Sequence, residues 1–133
     1  MEYFMIAHVG ILVSDIEKSK KFYAEALKPI GYQILREYGV TPSRPTASAG
    51  FGEPPRADLW LYQGGPSQAP IHIAFQVNTR SLVDAFYQAA IAAGGKDNGK
   101  PGIRPQYNPN YYGAFVLDPD GNNIEAVCRE PQT

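Results

Sequence analysis

The chain has 133 residues and a mass of 14.6 kDa, about one domain of ordinary size. With 44% hydrophobic and 19% charged residues it can bury a core, which excludes a disordered chain, and a net charge of −1 supplies no basic stripe for nucleic acid. No apolar run approaches the roughly 20 residues of a membrane span, the first residues lack a basic n-region and a cleavage site, and Cys128 is the only cysteine, so a cytoplasmic protein without an export signal is expected.

Residues 6–13 are apolar and β-branched and read as a strand. Ser14 and Glu17 match a capping box, so a helix is expected from Asp15 to about Leu27, with Ile16, Ser19, Phe22, Tyr23, Ala26 and Leu27 on one face and Pro29 as the stop. A second strand is expected over residues 32–38, residues 39–56 hold at most one short strand near 46–51, and residues 58–62 form another. Residues 70–77 repeat the opening strand, and Asn78 or Thr79 caps a second helix that ends at Gly94 and Gly95. A loop is expected over 98–110, a strand over 111–117, a tight turn at Asp118, Pro119, Asp120 and Gly121, and a last strand over 122–128.

The two halves are alike. Residues 64 apart coincide at His8 and His72, Val13 and Val77, Phe22 and Phe86, Tyr23 and Tyr87, Ala26 and Ala90, and Gly31 and Gly95. The order strand, helix, three strands also recurs, giving modules at about 5–65 and 68–130 within a single domain over 1–133. Each module alone is too small to be comfortable, so two side by side make physical sense.

Strand alternation decides which side chains share a face. In the first strand His8, Gly10 and Leu12 lie opposite the helix-packing side; in the fifth, His72, Ala74 and Gln76; in the last, Asn123, Glu125 and Val127. Both histidines of the chain and one glutamate thus share the face turned away from the helices. Two neutral imidazoles and one carboxylate are a ligand set for a catalytic divalent metal with positions left open. Zn, Mn, Fe, Ni and Co all accept such a set, and the sequence does not choose among them.

The stretch from His8 to Val13 with Asp15 and Ser19, then Phe22 and Tyr23, Gly31, the stretch from His72 to Phe75, and the run from Asp118 to Glu125 together resemble the vicinal oxygen chelate superfamily. That superfamily includes glyoxalase, bleomycin- and fosfomycin-resistance proteins and extradiol dioxygenases. The resemblance covers residues 5–128 and implies an α+β fold of two βαβββ modules, forming a cup-shaped mixed sheet with helices packed on the outer face. It implies metal ligands at His8, His72 and Glu125, the same three that alternation selects, and a homodimer. It departs from glyoxalase at the fourth ligand, a glutamate on the last strand of the first module, where Trp60 or Leu61 stands, and from the extradiol enzymes in lacking a third histidine.

Around the ligands, Trp60 is expected to wall the cup, and Arg104, Tyr107, Tyr111 and Tyr112 to border it, Arg104 holding an anionic group and a tyrosine donating to an oxyanion. The leading expectation is a metal-dependent lyase, dioxygenase or transferase that chelates a small oxygen-bearing substrate, with Glu125 also in the chemistry. The alternative is a sequestration protein of the bleomycin-resistance type that traps its ligand without reaction. Neither a membrane nor a nucleic-acid partner is expected.

Overall fold

A computed structural model describes residues 5–65 and 69–131. The first half contains β1 (Val9–Val13), α1 (Ile16–Leu27), a 3-10 turn (Lys28–Ile30), β2 (Gln33–Tyr38), β3 (Ser48–Gly52) and β4 (Leu59–Gln63). The second contains β5 (His72–Gln76), α2 (Arg80–Ala92), β6 (Lys96–Ile103), β7 (Tyr112–Leu117) and β8 (Asn123–Cys128). Each half builds one four-stranded mixed sheet, ordered β1-β4-β3-β2 and β5-β8-β7-β6. In both, the first and last strands of the module run parallel and the remaining pairs antiparallel. This is the α+β, twice-repeated βαβββ architecture that the sequence repeat implies.

The repeat is also a packing repeat. Val13 and Val77, Phe22 and Phe86, and Ala26 and Ala90 are buried at corresponding positions, within a core to which both helices and both sheets contribute. Ile11, Val13, Ile124, Ala126 and Cys128 are the inward residues of their strands and are nearly sealed from solvent. Among the described residues, no helix is long and apolar enough to cross a membrane.

Two local expectations change. The N-cap of α1 is Asp15, not Ser14: its carboxylate accepts from the Lys18 N–H at 3.2 Å. The Ncap side chain accepts from the second or third helical N–H, and because the helix begins at Ile16, Asp15 holds that position and Lys18 is its third residue. Ser14 instead turns outward, its hydroxyl and its N–H both donating to the Asp120 carboxylate. The second change is β6, a strand at 96–103 where much of a loop was expected. It lies at the outer edge of its sheet, carries Pro101, and is broken by register shifts around Gly99. An edge strand needs only one hydrogen-bonded side, so it tolerates proline and glycine that a central strand would not.

The turn at Asp118–Gly121 does more than reverse the chain. Gly121 N–H donates to Asp118 O at 3.0 Å, with Gly121 at a φ of 86° that favours glycine. The Asp118 carboxylate is 5% exposed and accepts from the Asn122 amide at 3.0 Å and from the N–H groups of Asp120 and Asn122 at 2.9 Å. It also accepts from the hydroxyl of fully buried Tyr23 on α1, which ties the first module to the second. Burial, then the adjacent Asp118 charge, push the Tyr23 phenol well above its ordinary value. Replacing Tyr23 by Phe should cost about 1.5–3 kcal/mol in urea denaturation at neutral pH, the scale of a hydrogen bond to a buried charge. Because the folded-state value is raised, that stabilisation is intact below the ordinary tyrosine value of 10.0 and is lost as pH climbs past it. The gap between wild type and Tyr23→Phe should therefore shrink in alkali.

Candidate metal centre

The parallel β5–β8 register sets His72 opposite Asn123 and Ala74 opposite Glu125. His72 and Glu125 are thus diagonal neighbours on the face turned away from the helices. His72 Nδ1 lies 2.9 Å from Asn123 O, and its Nε2 lies 3.0 Å from Glu125 Oε1. A carbonyl can only accept, so Nδ1 carries the proton and the ring is fixed with Nε2 toward the carboxylate. Orientation of a ligating imidazole by a backbone carbonyl is the usual outer support of a metal-binding histidine. The other carboxylate oxygen, Oε2, accepts from the Tyr111 hydroxyl. Burial, then that hydrogen bond, push the Tyr111 phenol up to about 12.

The pair is unusual in its solvation. The Glu125 side chain is 2% exposed and the His72 side chain 49%. Among the described residues, the ion-pair partner of this buried carboxylate is His72, and a buried charge needs compensation. Nε2 and Oε1 face each other across 3.0 Å. Their separation fits a shared proton, and it equally fits two adjacent ligands of one divalent ion, which stand about 3.0–3.4 Å apart for bonds of about 2.1 Å. The donor set therefore suits such an ion.

His8 is placed differently. It stands one residue before β1, is exposed, and borders two cavities. One, of about 150 Å³, it shares with Ile73, Ala74 and Phe75 of β5; the other, of about 600 Å³, lies over the first sheet. Among the described residues, His8, His72 and Glu125 are not gathered into one cluster.

The structure also resolves what occupies the position equivalent to Glu125 in the first module. Gly10 and Ala74 are equivalent in the repeat, and Gly10 pairs with Trp60 as Ala74 pairs with Glu125. Trp60, rather than Leu61, stands where a second carboxylate would. Its indole N–H donates to Ala57 O at 3.3 Å.

The remaining residues divide. Tyr111 reaches the pair, and Tyr107, 60% exposed, meets the Tyr111 ring edge-on at 4.9 Å. Tyr112 points the other way: its hydroxyl donates to Asp84 of α2 at 2.6 Å, and burial followed by that bond pushes its phenol up to about 12. Arg104 spends its guanidinium on its own hairpin, donating to Gly102 O at 2.8 Å and Lys100 O at 2.7 Å. It lies over the Phe115 ring, whose centroid is 6.2 Å from the His72 ring. Sequence reasoning missed Phe115, although its place opposite Glu125 on β7 makes it the natural wall of the site.

With this geometry in hand, relatives can be compared. The family model "Glyoxalase/Bleomycin resistance protein/Dioxygenase superfamily" matches residues 5–126. The chain belongs to that superfamily. It is 30% identical over 131 residues to a Brassica oleracea var. gemmifera protein named "Putative lactoylglutathione lyase", covering 93% of this chain and 44% of that protein. It thus spans less than half of the relative's length. A solved glyoxalase/bleomycin resistance protein from Albidiferax ferrireducens superposes with a TM-score of 0.74 at 28% identity, over 96% of this chain and 100% of that one. A fosfomycin resistance protein variant from Listeria monocytogenes, solved with Mn(II) and a dihydroxypropylphosphonic acid, shares the fold at a TM-score of 0.68 and 18% identity, over 95% and 90% of the two chains.

The Arg104 bonds predict a structural role. Arg104→Met should lower stability by about 1 kcal/mol in urea denaturation, because the part-buried Gly102 carbonyl and the exposed Lys100 carbonyl lose their donor. An unchanged midpoint would instead leave the guanidinium free for a ligand.

Proposed function

We propose that this member of the superfamily is a divalent-metal-dependent enzyme acting on a small oxygen-bearing substrate, with His72 and Glu125 as two ligands and His8 as the third. The observation that carries the reading is the His72–Glu125 pair: a buried carboxylate and an imidazole whose distal nitrogen is committed to a carbonyl, 3.0 Å apart. The Mn(II) in the Listeria protein of the same fold supports it. When bound, the ion would act as a Lewis acid toward adjacent substrate oxygens.

The chain's own residues would do the rest. Asn123 O holds the imidazole in the ligating tautomer. The Tyr111 hydroxyl steadies Glu125 and stands as a hydrogen-bond donor at the edge of the site. Phe115 stands beside His72, its ring centroid 6.2 Å from the imidazole, as an apolar wall. His8 closes the set from the first module, where it borders the cavity shared with Ala74, the register partner of Glu125. The two sheets would then enclose the substrate as a cup. A homodimer is part of the reading: β1 lies at a sheet edge with Val9 and Leu12 exposed, and exposed apolar edges favour association.

One observation favours the sequestration alternative. Trp60 replaces the second carboxylate that would supply a base in the first module, which leaves a binding wall rather than a reactive group. Metal content separates the two. Elemental analysis of protein equilibrated with Mn(II), Zn(II) or Ni(II) should find about one ion per chain, lost in His72→Ala and Glu125→Gln with the fold retained by circular dichroism. His8→Ala should weaken retention, and Trp60→Ala should leave it unchanged. Undiminished metal in both His72→Ala and Glu125→Gln would overturn the assignment. On light scattering the chain should run as a dimer at micromolar concentration.

A further inference from the structure

The face of the first sheet turned away from the helices carries a set of near-parallel aromatic rings centred on Trp60. Trp60 is parallel to Tyr38 within 3°, with centroids 6.0 Å apart, and lies 21° from Tyr62 at 6.4 Å. Two glycines permit this arrangement. A Cβ on Gly50 would stand 2.8, 2.9 and 2.9 Å from three consecutive atoms of the indole six-membered ring, and one on Gly10 would stand 2.7 Å from Tyr62. Near-equal distances to three neighbouring ring atoms mean that the indole lies face-down on Gly50. An edge-on approach would make one distance much shorter than the others. Gly10, Trp60 and Gly50 occupy one row across β1, β4 and β3, so the rings rest on the sheet itself rather than standing off it. The bond from the indole N–H to Ala57 O holds Trp60 in place.

A cation stands at one end of this surface. The Arg44 guanidinium lies 3.9 Å from the Tyr38 ring centroid, and Arg44 is exposed on the segment between β2 and β3. Among the described residues it has no carboxylate partner; the ion pairs of the chain involve Lys20, Arg56 and His72. At the other end stands His8. Tyr38, Arg44, Trp60, Tyr62 and His8 all border the cleft of about 600 Å³, a volume within the usual range for a small-molecule site.

We propose that this cleft binds a planar conjugated ring bearing an anionic group, the ring lying on Trp60 and the anion meeting Arg44 where it covers Tyr38. A rigid flat floor favours a flat ligand, because a puckered ring makes fewer atomic contacts with it. An unpaired guanidinium over that floor favours a carboxylate or similar anion. The inference rests on the proposed metal site for its place beside a reacting centre, since His8 borders both, but binding itself does not need the metal.

The chain has one tryptophan, so Trp60 emission reports on the cleft directly. The test titrates the full chain, before and after EDTA dialysis, with 2-naphthoate, with its saturated analogue decahydro-2-naphthoate, and with neutral 2-naphthamide, read by calorimetry beside Trp60 emission. The expected result is 2-naphthoate binding at one per chain, at least tenfold tighter than the saturated acid, with or without EDTA. Arg44→Gln should bring 2-naphthoate down to the affinity of 2-naphthamide, and Trp60→Leu should abolish the preference for the flat ring. Arg44→Gln should retain metal as wild type does, so loss of metal in His72→Ala and loss of ring preference in Trp60→Leu report on the two proposals separately. Equal binding of flat and saturated acids, or no effect of Arg44→Gln, would overturn the proposal. So would Trp60 emission that changes on protein dilution but not with any of the three probes, because the surface would then be covered by a second copy.

Discussion

In each half of this molecule the first strand of the module runs parallel to the last, and the placement of His72 beside Glu125 and of Trp60 at the equivalent position follows from the register of that pairing. In the second half it sets Ala74 against Glu125 and His72 against Asn123, which puts an imidazole and a carboxylate on one diagonal. Parallel strands cannot be joined by a short turn, so each module must interpose a helix and two strands. Those elements then bury one face and leave the other for the site. The helices pack through Phe22, Phe86, Ala26 and Ala90, and the buried bond from Tyr23 to Asp118 fastens one module to the other. A shift of one residue in register would turn both His72 and Glu125 to the opposite side.

The two modules are copies in topology but not in chemistry. Across the second sheet the row reads Ala74, Glu125 and Phe115; across the first it reads Gly10, Trp60 and Gly50. One row presents a buried carboxylate with an aromatic wall, the other an indole laid on glycine. The same backbone thus offers a polar, charge-bearing half and a flat apolar half. Tyr111 belongs to the first, with its hydroxyl on Glu125, and Arg44 to the second, with its guanidinium on Tyr38.

Much of this was legible in the sequence, for a physical reason. A period of two on a strand and the period of a helix are strong signals, so the elements and the shared face of His72 and Glu125 follow from residue order alone. Register is not local, so the choice between Trp60 and Leu61 at the equivalent position needed the structure. The edge strand β6 was hidden by Gly99 and Pro101, which break the alternation that marks a strand. Tyr111 and Tyr112 are neighbours, and alternation sends one to Glu125 and the other to Asp84; treating them together as site residues passed over that rule. Arg104 and Ser14 illustrate a further limit. Their partners, the carbonyls of Lys100 and Gly102 and the carboxylate of Asp120, depend on how turns fold back rather than on any pattern in the chain.

The central claim is that Nε2 of His72 and Oε1 of Glu125 are held apart for a divalent ion rather than joined by a proton. Crystals grown with Mn(II) and measured near the manganese absorption edge would decide it. The account predicts one anomalous peak per chain within about 2.3 Å of both atoms, allowing for ordinary nitrogen and oxygen ligand distances, with Asn123 O still bonded to Nδ1. An anomalous peak elsewhere, or a direct His72–Glu125 hydrogen bond persisting at saturating Mn(II), would contradict it.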